Sequence, residues 1–188
     1  MLRREARNWD TQAASRFDNS ELIWKAYRYL SLMSISEQTA AYRAATAEFL
    51  QAVSELSESD LDLAVEGQWN ARQIIHHVAD SEAQSYARLR RLIAEPGTQI
   101  QGYDEGGWGE NTTLGYKDLP VASSVAVFEA VREASAIIFA RLSESQLGLS
   151  GVHSESGEYS IATWIDTYTR HPREHADQIR SVVSTAKK

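Results

Sequence analysis

Apolar residues along this chain recur mostly at spacings of three and four, the period of an α-helix with one buried face. In a first stretch, from about Ser36 to Leu56, Tyr42, Ala45, Phe49 and Val53 form the apolar stripe. A second predicted helix opens at Asn70, a good N-cap type, and runs to about Ala94, just before Pro96 and Gly97. Its stripe is Ile75, Val78, Ala79, Tyr86, Leu89 and Ile93. A third begins at Pro120, a residue suited to a first turn, with Val125, Phe128, Val131, Ile138 and Leu142 facing inward. A fourth, capped by Ser160, runs to about Ser184. An acidic loop ending in Gly67-Gln68-Trp69 joins the first two. A stretch with Gly102, Gly106, Gly107 and Gly109 reads as a second loop. The segment SESQLGLSGVHSESGEYS has room for a short hairpin.

Four long helices joined by loops predict an all-α four-helix bundle over residues 33–188. Residues 1–32 stand apart, with Trp9, Trp24, Tyr27, Tyr29 and Leu30, and an accessory helix is predicted around Glu21–Leu32. Met33 opens MSISEQTAAYRAA in the manner of a natural start, so residues 1–32 are either an N-terminal extension or a start assigned too far upstream.

At 188 residues, one domain with a real core is expected. The net charge of −7 argues against a nucleic-acid partner, and clusters such as Arg88, Arg90 and Arg91 are short enough to be solvated helix faces. The absence of cysteine excludes disulfides, thiolate metal sites and a cysteine nucleophile. No apolar run has membrane-spanning length, and the N-terminal residues lack the apolar core of a signal peptide. A cytoplasmic protein with no membrane partner is expected.

The chemistry lies in three histidines. His171 and His175, in HPREH, sit four apart on the last predicted helix and project the same way. His77 lies in WNARQIIHHVADSE beside the apolar stripe, while His76 points about 100° away and is the non-ligand of the two. Together the three would form a nitrogen cup for a transition metal with an open coordination position. Other readings of HPREH stand beside this one. It could be an exposed helix face or a structural pair. It also matches the inverted zinc-protease pattern H-x-x-E-H with Glu174 as base, although Asp177 is the sole acid left downstream. Asp80 and Glu82, two residues apart on a helix, face away from one another.

The blocks Gly67-Gln68-Trp69, WNARQIIHHVADSE, Tyr86 with Arg88, Tyr103-Asp104-Glu105 with Trp108, HSESGE, and HPREH followed by Gln178-Ile179 occur in an order that resembles the DinB/YfiT-like superfamily, from about Tyr42 to Val183. These are bacterial metal-dependent four-helix bundles. The resemblance implies metal ligands at His77, His171 and His175, the first falling eight residues after Trp69. It implies one divalent transition metal, zinc foremost, with nickel, iron and manganese as alternatives. It also implies a small-molecule substrate and a homodimer. Two activities follow from it: hydrolysis, or S-transfer with a low-molecular-weight thiol. A non-catalytic metal-binding or stress-response bundle is the other reading.

Asp80, Glu174 and Tyr168 are the candidates to support the ligands. Arg88, Tyr103 and Trp108 are the candidates to contact substrate. This chain has Glu82 where relatives often have histidine. Pro172, between two proposed ligands, predicts a kinked but continuous helix. Ordinary imidazoles would lose metal as pH drops through about 6.5. For the N-terminus, mass spectrometry of the native protein is the check. An intact peptide covering residues 2–30 is expected if the extension is real, and its absence favours a start at Met33.

Overall fold

The computed structural model describes residues 33–188. The accessory helix predicted around Glu21–Leu32, and with it the 1–32 segment, lies outside the described residues. Four long helices dominate: α1 (Ile35–Ser54), α2 (Ala71–Ala94), α4 (Ala122–Phe139) and α5 (Ile161–Ala186), with a short α3 (Glu105–Glu110) between α2 and α4. The caps explain the starts. Ser34 and Glu37 form a capping box on α1, and Asn70 and Gln73 form one on α2. The Ser160 hydroxyl accepts from the Thr163 amide at the head of α5. Pro172 sits inside α5 without ending it, as expected. None of the described helices is long and apolar enough to cross a membrane.

The helices form a four-sided bundle whose sides are α1–α5, α5–α2, α2–α4 and α4–α1. Consecutive α1 and α2 therefore lie across a diagonal. The long connection that makes this possible carries a 3₁₀ turn (Glu58–Asp60) and is tied down where the Arg72 amide donates to the Leu61 carbonyl. The predicted hairpin is present as β2 (Ser150–His153) and β3 (Gly157–Ser160), paired antiparallel. A strand that the apolar pattern did not predict, β1 (Gln99–Ile100), pairs parallel to β2. It is two residues long, too short to show a period.

Three further differences have physical causes. The glycine-rich stretch is not all loop. The Asp104 side chain accepts from the Gly107 amide and so caps α3. The third long helix starts at Ala122, two residues after Pro120. Its buried face is Phe128, Arg132, Ser135, Ala136 and Phe139, whereas Val125, Val131, Ile138 and Leu142 are only half-buried. The apolar stripe was misplaced because a charged residue occupies the centre of the true one.

That residue, Arg132, is fully buried and touches every long helix. Its Nε donates to the Thr46 hydroxyl (2.8 Å), and its Nη2 to the Tyr42 carbonyl (2.6 Å), both on α1. Its Nη1 donates to the Tyr168 carbonyl on α5 (2.5 Å) and to Glu82 Oε1 on α2 (3.1 Å). The guanidinium also lies 3.4 Å from the Tyr42 ring centroid. Two apolar clusters flank this polar layer. One holds Phe49, Ile74, Ile75, Val78, Phe128 and Ile179; the other holds Tyr42, Leu89, Phe139, Trp164 and Ile165.

Burial pushes the Glu82 carboxyl up to about 7, against the opposing pull of Arg132. Arg132→Met would leave that carboxylate buried without its partner. We expect a loss of about 3–5 kcal/mol in urea unfolding at pH 8. The loss should shrink towards pH 5, where Glu82 becomes neutral in the folded variant. A pH-independent loss would mean that packing, not charge, is what Arg132 supplies.

Candidate metal and substrate site

α2 and α5 face each other along one side of the bundle, and the three histidines meet there. Ile74 and Val78 anchor α2 in the core, which turns His77 towards α5. On α5, Tyr168, Pro172 and Ala176 are buried, so His171 and His175 lie along the edge of that stripe. One nitrogen from each of His77, His171 and His175 lies within 4.8 Å of the others. The Nε2 atoms of His77 and His171 are 3.4 Å apart. Ring centroids are separated by 5.4 Å (His77–His171), 4.9 Å (His77–His175) and 4.5 Å (His171–His175).

The surroundings prepare these nitrogens. His175 Nδ1 is 2.8 Å from Gln178 Oε1, which leaves Nε2 as the lone-pair nitrogen. His171 Nδ1 is 3.7 Å from Glu82 Oε1, the same oxygen that receives Arg132. His77 Nδ1 is buried without a hydrogen-bond partner, and the Trp69 ring lies 5.1 Å away. Burial, reinforced by neighbouring histidines, holds His77 well below the usual imidazole range. The same is true of His171, which keeps 15% of its side chain exposed but is closely surrounded by protein. Both are therefore neutral at physiological pH.

The donor set fits a metal on geometric grounds. An ion bound tetrahedrally at usual Zn–N distances holds its nitrogens about 3.3 Å apart. The His77–His171 pair already has that spacing, and both of its rings are neutral.

His76 is excluded from the cluster, as the helical wheel required. Its Nδ1 pairs with the Ser124 hydroxyl (2.8 Å) and its Nε2 with the Leu119 carbonyl (3.1 Å). Glu174 is also outside. It is exposed on the outer face of α5 and accepts from Arg170 at 2.9 Å, so it is neither a supporting group nor a protease base. Asp80 points towards Tyr116, whose hydroxyl donates to it at 2.6 Å. Tyr116 packs edge-on to Trp69, so Asp80 braces the wall beside His77.

Tyr168 packs edge-on to His171 at 6.1 Å, and its hydroxyl accepts from Arg88 at 3.0 Å. Tyr103 and Trp108 pack together at 4.6 Å in the segment that includes α3. A side chain at Gly109 would strike the Trp69 ring at 2.7 Å, so glycine lets α3 sit close over the cluster's wall. The sequence pattern marked Glu82 as a carboxylate facing away from Asp80 and as a departure from the family, and gave no role to Arg132 or Tyr159. A basic residue in register with Phe128, Ser135 and Phe139 was the available sign of a buried ion pair.

Comparison with known proteins places these features in a family. The sequence profile of the DinB superfamily matches residues 41–179. Two proteins of Oceanobacillus iheyensis, provisionally named metal-dependent hydrolases, are similar to this chain. One is 30% identical over 71% of this chain and 76% of its own length; the other is 34% identical over 69% and 74%. A relative from Bacillus mycoides with the same provisional name is 32% identical over 72% of this chain and 77% of its own. Among solved structures, YfiT from Bacillus subtilis superimposes with a TM-score of 0.72 at 24% identity, over 80% of this chain and 87% of that one. It is described as a probable metal-dependent hydrolase with an unusual four-helix bundle topology. The mycothiol-dependent maleylpyruvate isomerase superimposes with a TM-score of 0.62 at 14% identity, over 78% and 61%. At these identities the two structures bear on the fold alone. With the profile match over most of its length, this chain belongs to the DinB superfamily.

Proposed function

We propose that this protein is a metal-dependent enzyme acting on a small molecule, and that His77, His171 and His175 hold one divalent transition metal. The observation that carries this reading is the meeting of three imidazole nitrogens within 4.8 Å, two of them on rings held neutral by burial. Borderline nitrogen donors favour zinc, with nickel, iron and manganese as alternatives. When bound, such an ion supplies Lewis acidity, which makes water or a thiol a nucleophile near neutral pH. The names of the relatives support hydrolysis. The isomerase, alike in fold alone, keeps transfer with a low-molecular-weight thiol as the second activity to test.

The chain's own groups prepare the site. Gln178 accepts the Nδ1 proton of His175 and fixes its tautomer. Glu82, itself held by Arg132, faces His171 Nδ1 and sets that ring's direction. Trp69, kept in place by Tyr116 and Gly109, shields His77 from water. Arg88, which reaches the Tyr168 hydroxyl beside His171, and the packed pair Tyr103 and Trp108 are the groups we assign to substrate.

Elemental analysis is the direct test. About one metal ion per chain is expected in the wild type, with loss in His77→Ala, His171→Ala and His175→Ala alike. A wild type that takes up no metal on reconstitution with zinc would end the metal reading. So would single variants that keep full occupancy.

Gln178→Ala and Glu82→Gln should each weaken zinc binding by about 10–100-fold in a competition titration with a chelating dye. Unchanged affinity would show that neither residue orients a ligand.

The pH dependence follows from the lowered pKa values. At pH 6.5 an ordinary imidazole is half protonated, but His77 and His171 are already deprotonated. Zinc affinity should therefore decline less steeply around pH 6.5 than three ordinary imidazoles would give, because two of the three ligands carry no proton there. Unfolding returns both imidazoles to their ordinary value, so below pH 6.5 the unfolded chain binds protons that the folded chain refuses. In the Glu82→Gln background, which removes the opposing proton uptake of that raised carboxyl, stability of the metal-free protein should therefore be full above that pH and fall as pH drops beneath it. Flat urea midpoints from pH 7 to 5 would contradict this.

A further inference from the structure

Two turns beyond Ser81 on α2, Arg88 ties that helix to α5 and to the segment after β1. Its Nη1 donates to the Tyr168 hydroxyl (3.0 Å) and its Nη2 to the Gln101 carbonyl (3.1 Å). Both acceptors are neutral. Its Nε is buried and donates to nothing, and no carboxylate among the described residues forms an ion pair with it. A guanidinium is always charged, and a charge held partly out of water calls for a counter-charge.

Two buried phenols stand on the segments next to Arg88: Tyr103 follows Gln101, whose carbonyl Arg88 holds, by two residues, and Tyr159 packs at 5.8 Å against His153, which is in register with Ile100. Tyr103 comes from the segment before α3 and Tyr159 from β3. The charge of Arg88 acts on both of them, on Tyr168, and on His153 in β2. Ser81 lies beside the Tyr103 hydroxyl and Thr167 beside that of Tyr159, yet neither phenol completes a hydrogen bond of good geometry. Buried hydroxyls rarely go without a partner. Here two of them and a guanidinium nitrogen, all donors, are unspent on adjoining segments. The acids nearby are Glu82, which acts on Tyr159 and Tyr168 but is paired with Arg132, Glu105, which acts on Tyr103, and Glu155, exposed to solvent with its carboxylate against Gly102.

We propose that Arg88, Tyr103 and Tyr159 form a subsite for the carboxylate of a small organic molecule whose reacting end lies at the three imidazoles. A planar carboxylate suits the planar guanidinium fork and takes two further donors without crowding. Tyr168 joins the two parts of the site, since it receives Arg88 at its hydroxyl and packs against His171 with its ring. The assignment of a reacting end rests on the proposed metal site; the carboxylate subsite itself does not.

The test uses succinate as the probe and succinamide, its neutral diamide, as the control. Each is titrated into zinc-reconstituted protein and followed by amide NMR shifts. Succinate should saturate the wild type and succinamide should not. Arg88→Gln should weaken succinate by about tenfold or more, with zinc content unchanged. Tyr159→Phe, which deletes only a hydroxyl, should weaken it by about threefold or more. Equal affinity in the wild type and both variants would overturn the proposal, as would no succinate binding by the wild type at tens of millimolar. Binding abolished by His77→Ala but untouched by Arg88→Gln would also overturn it, because the carboxylate would then sit on the metal. A wild type that holds no zinc yet binds succinate through Arg88 would remove the metal reading and support this one.

Discussion

The buried contact between Arg132 and Glu82 organises this molecule. One guanidinium reaches backbone carbonyls on α1 and α5, a hydroxyl on α1 and a carboxylate on α2. Hydrophobic packing alone tolerates small slides of one helix past another. A charge with fixed donor directions does not, because every slide leaves a buried polar group unpaired. Arg132 thus sets the relative height of the four helices at the level where the histidines meet.

The site inherits that constraint through a single oxygen. Glu82 Oε1 receives Arg132 and faces His171 Nδ1. Movement of α4 against α2 would therefore displace the carboxylate that His171 Nδ1 faces at 3.7 Å. A metal cup needs its donors placed to within a fraction of an ångström, and two helices joined by side-chain packing alone would hold them less tightly. The buried ion pair contributes little net stability when compared with an apolar replacement. Its position suggests that geometry is what it secures.

The site has an imidazole end and a charged end. Trp69, the three imidazoles and Tyr116 make the first; Arg88 and the phenols make the second. Different elements supply them. The charged end needs the hairpin for Tyr159 and the segment before α3 for Tyr103, so the small sheet and the short helix belong to the site as much as the bundle does.

Much of this was legible in the chain itself. Periodicity located four helices, Asn70 and Ser160 marked two starts, and the spacing of His171 and His175 put both rings on one face. The wheel placed His77 and His76 on different faces, and in the fold the two rings face different neighbours. These are local properties, set by helical pitch and by which side chains can cap an amide. Glu174 shows the limit: it lies one residue from a ligand candidate, yet the turn of the helix carries it to solvent and to Arg170. The identity of the buried face of α4, the α3 turn within the glycine-rich stretch, and the pairing of β1 with β2 were decided only by tertiary structure. Each depends on a partner far away in sequence: Glu82 for Arg132, Trp69 for Gly109, Val152 for Gln99. The sequence determined which helices form and which histidines share a face. Only the folded bundle determined which charges could be buried, because a buried charge is stable only where another element brings its counterpart.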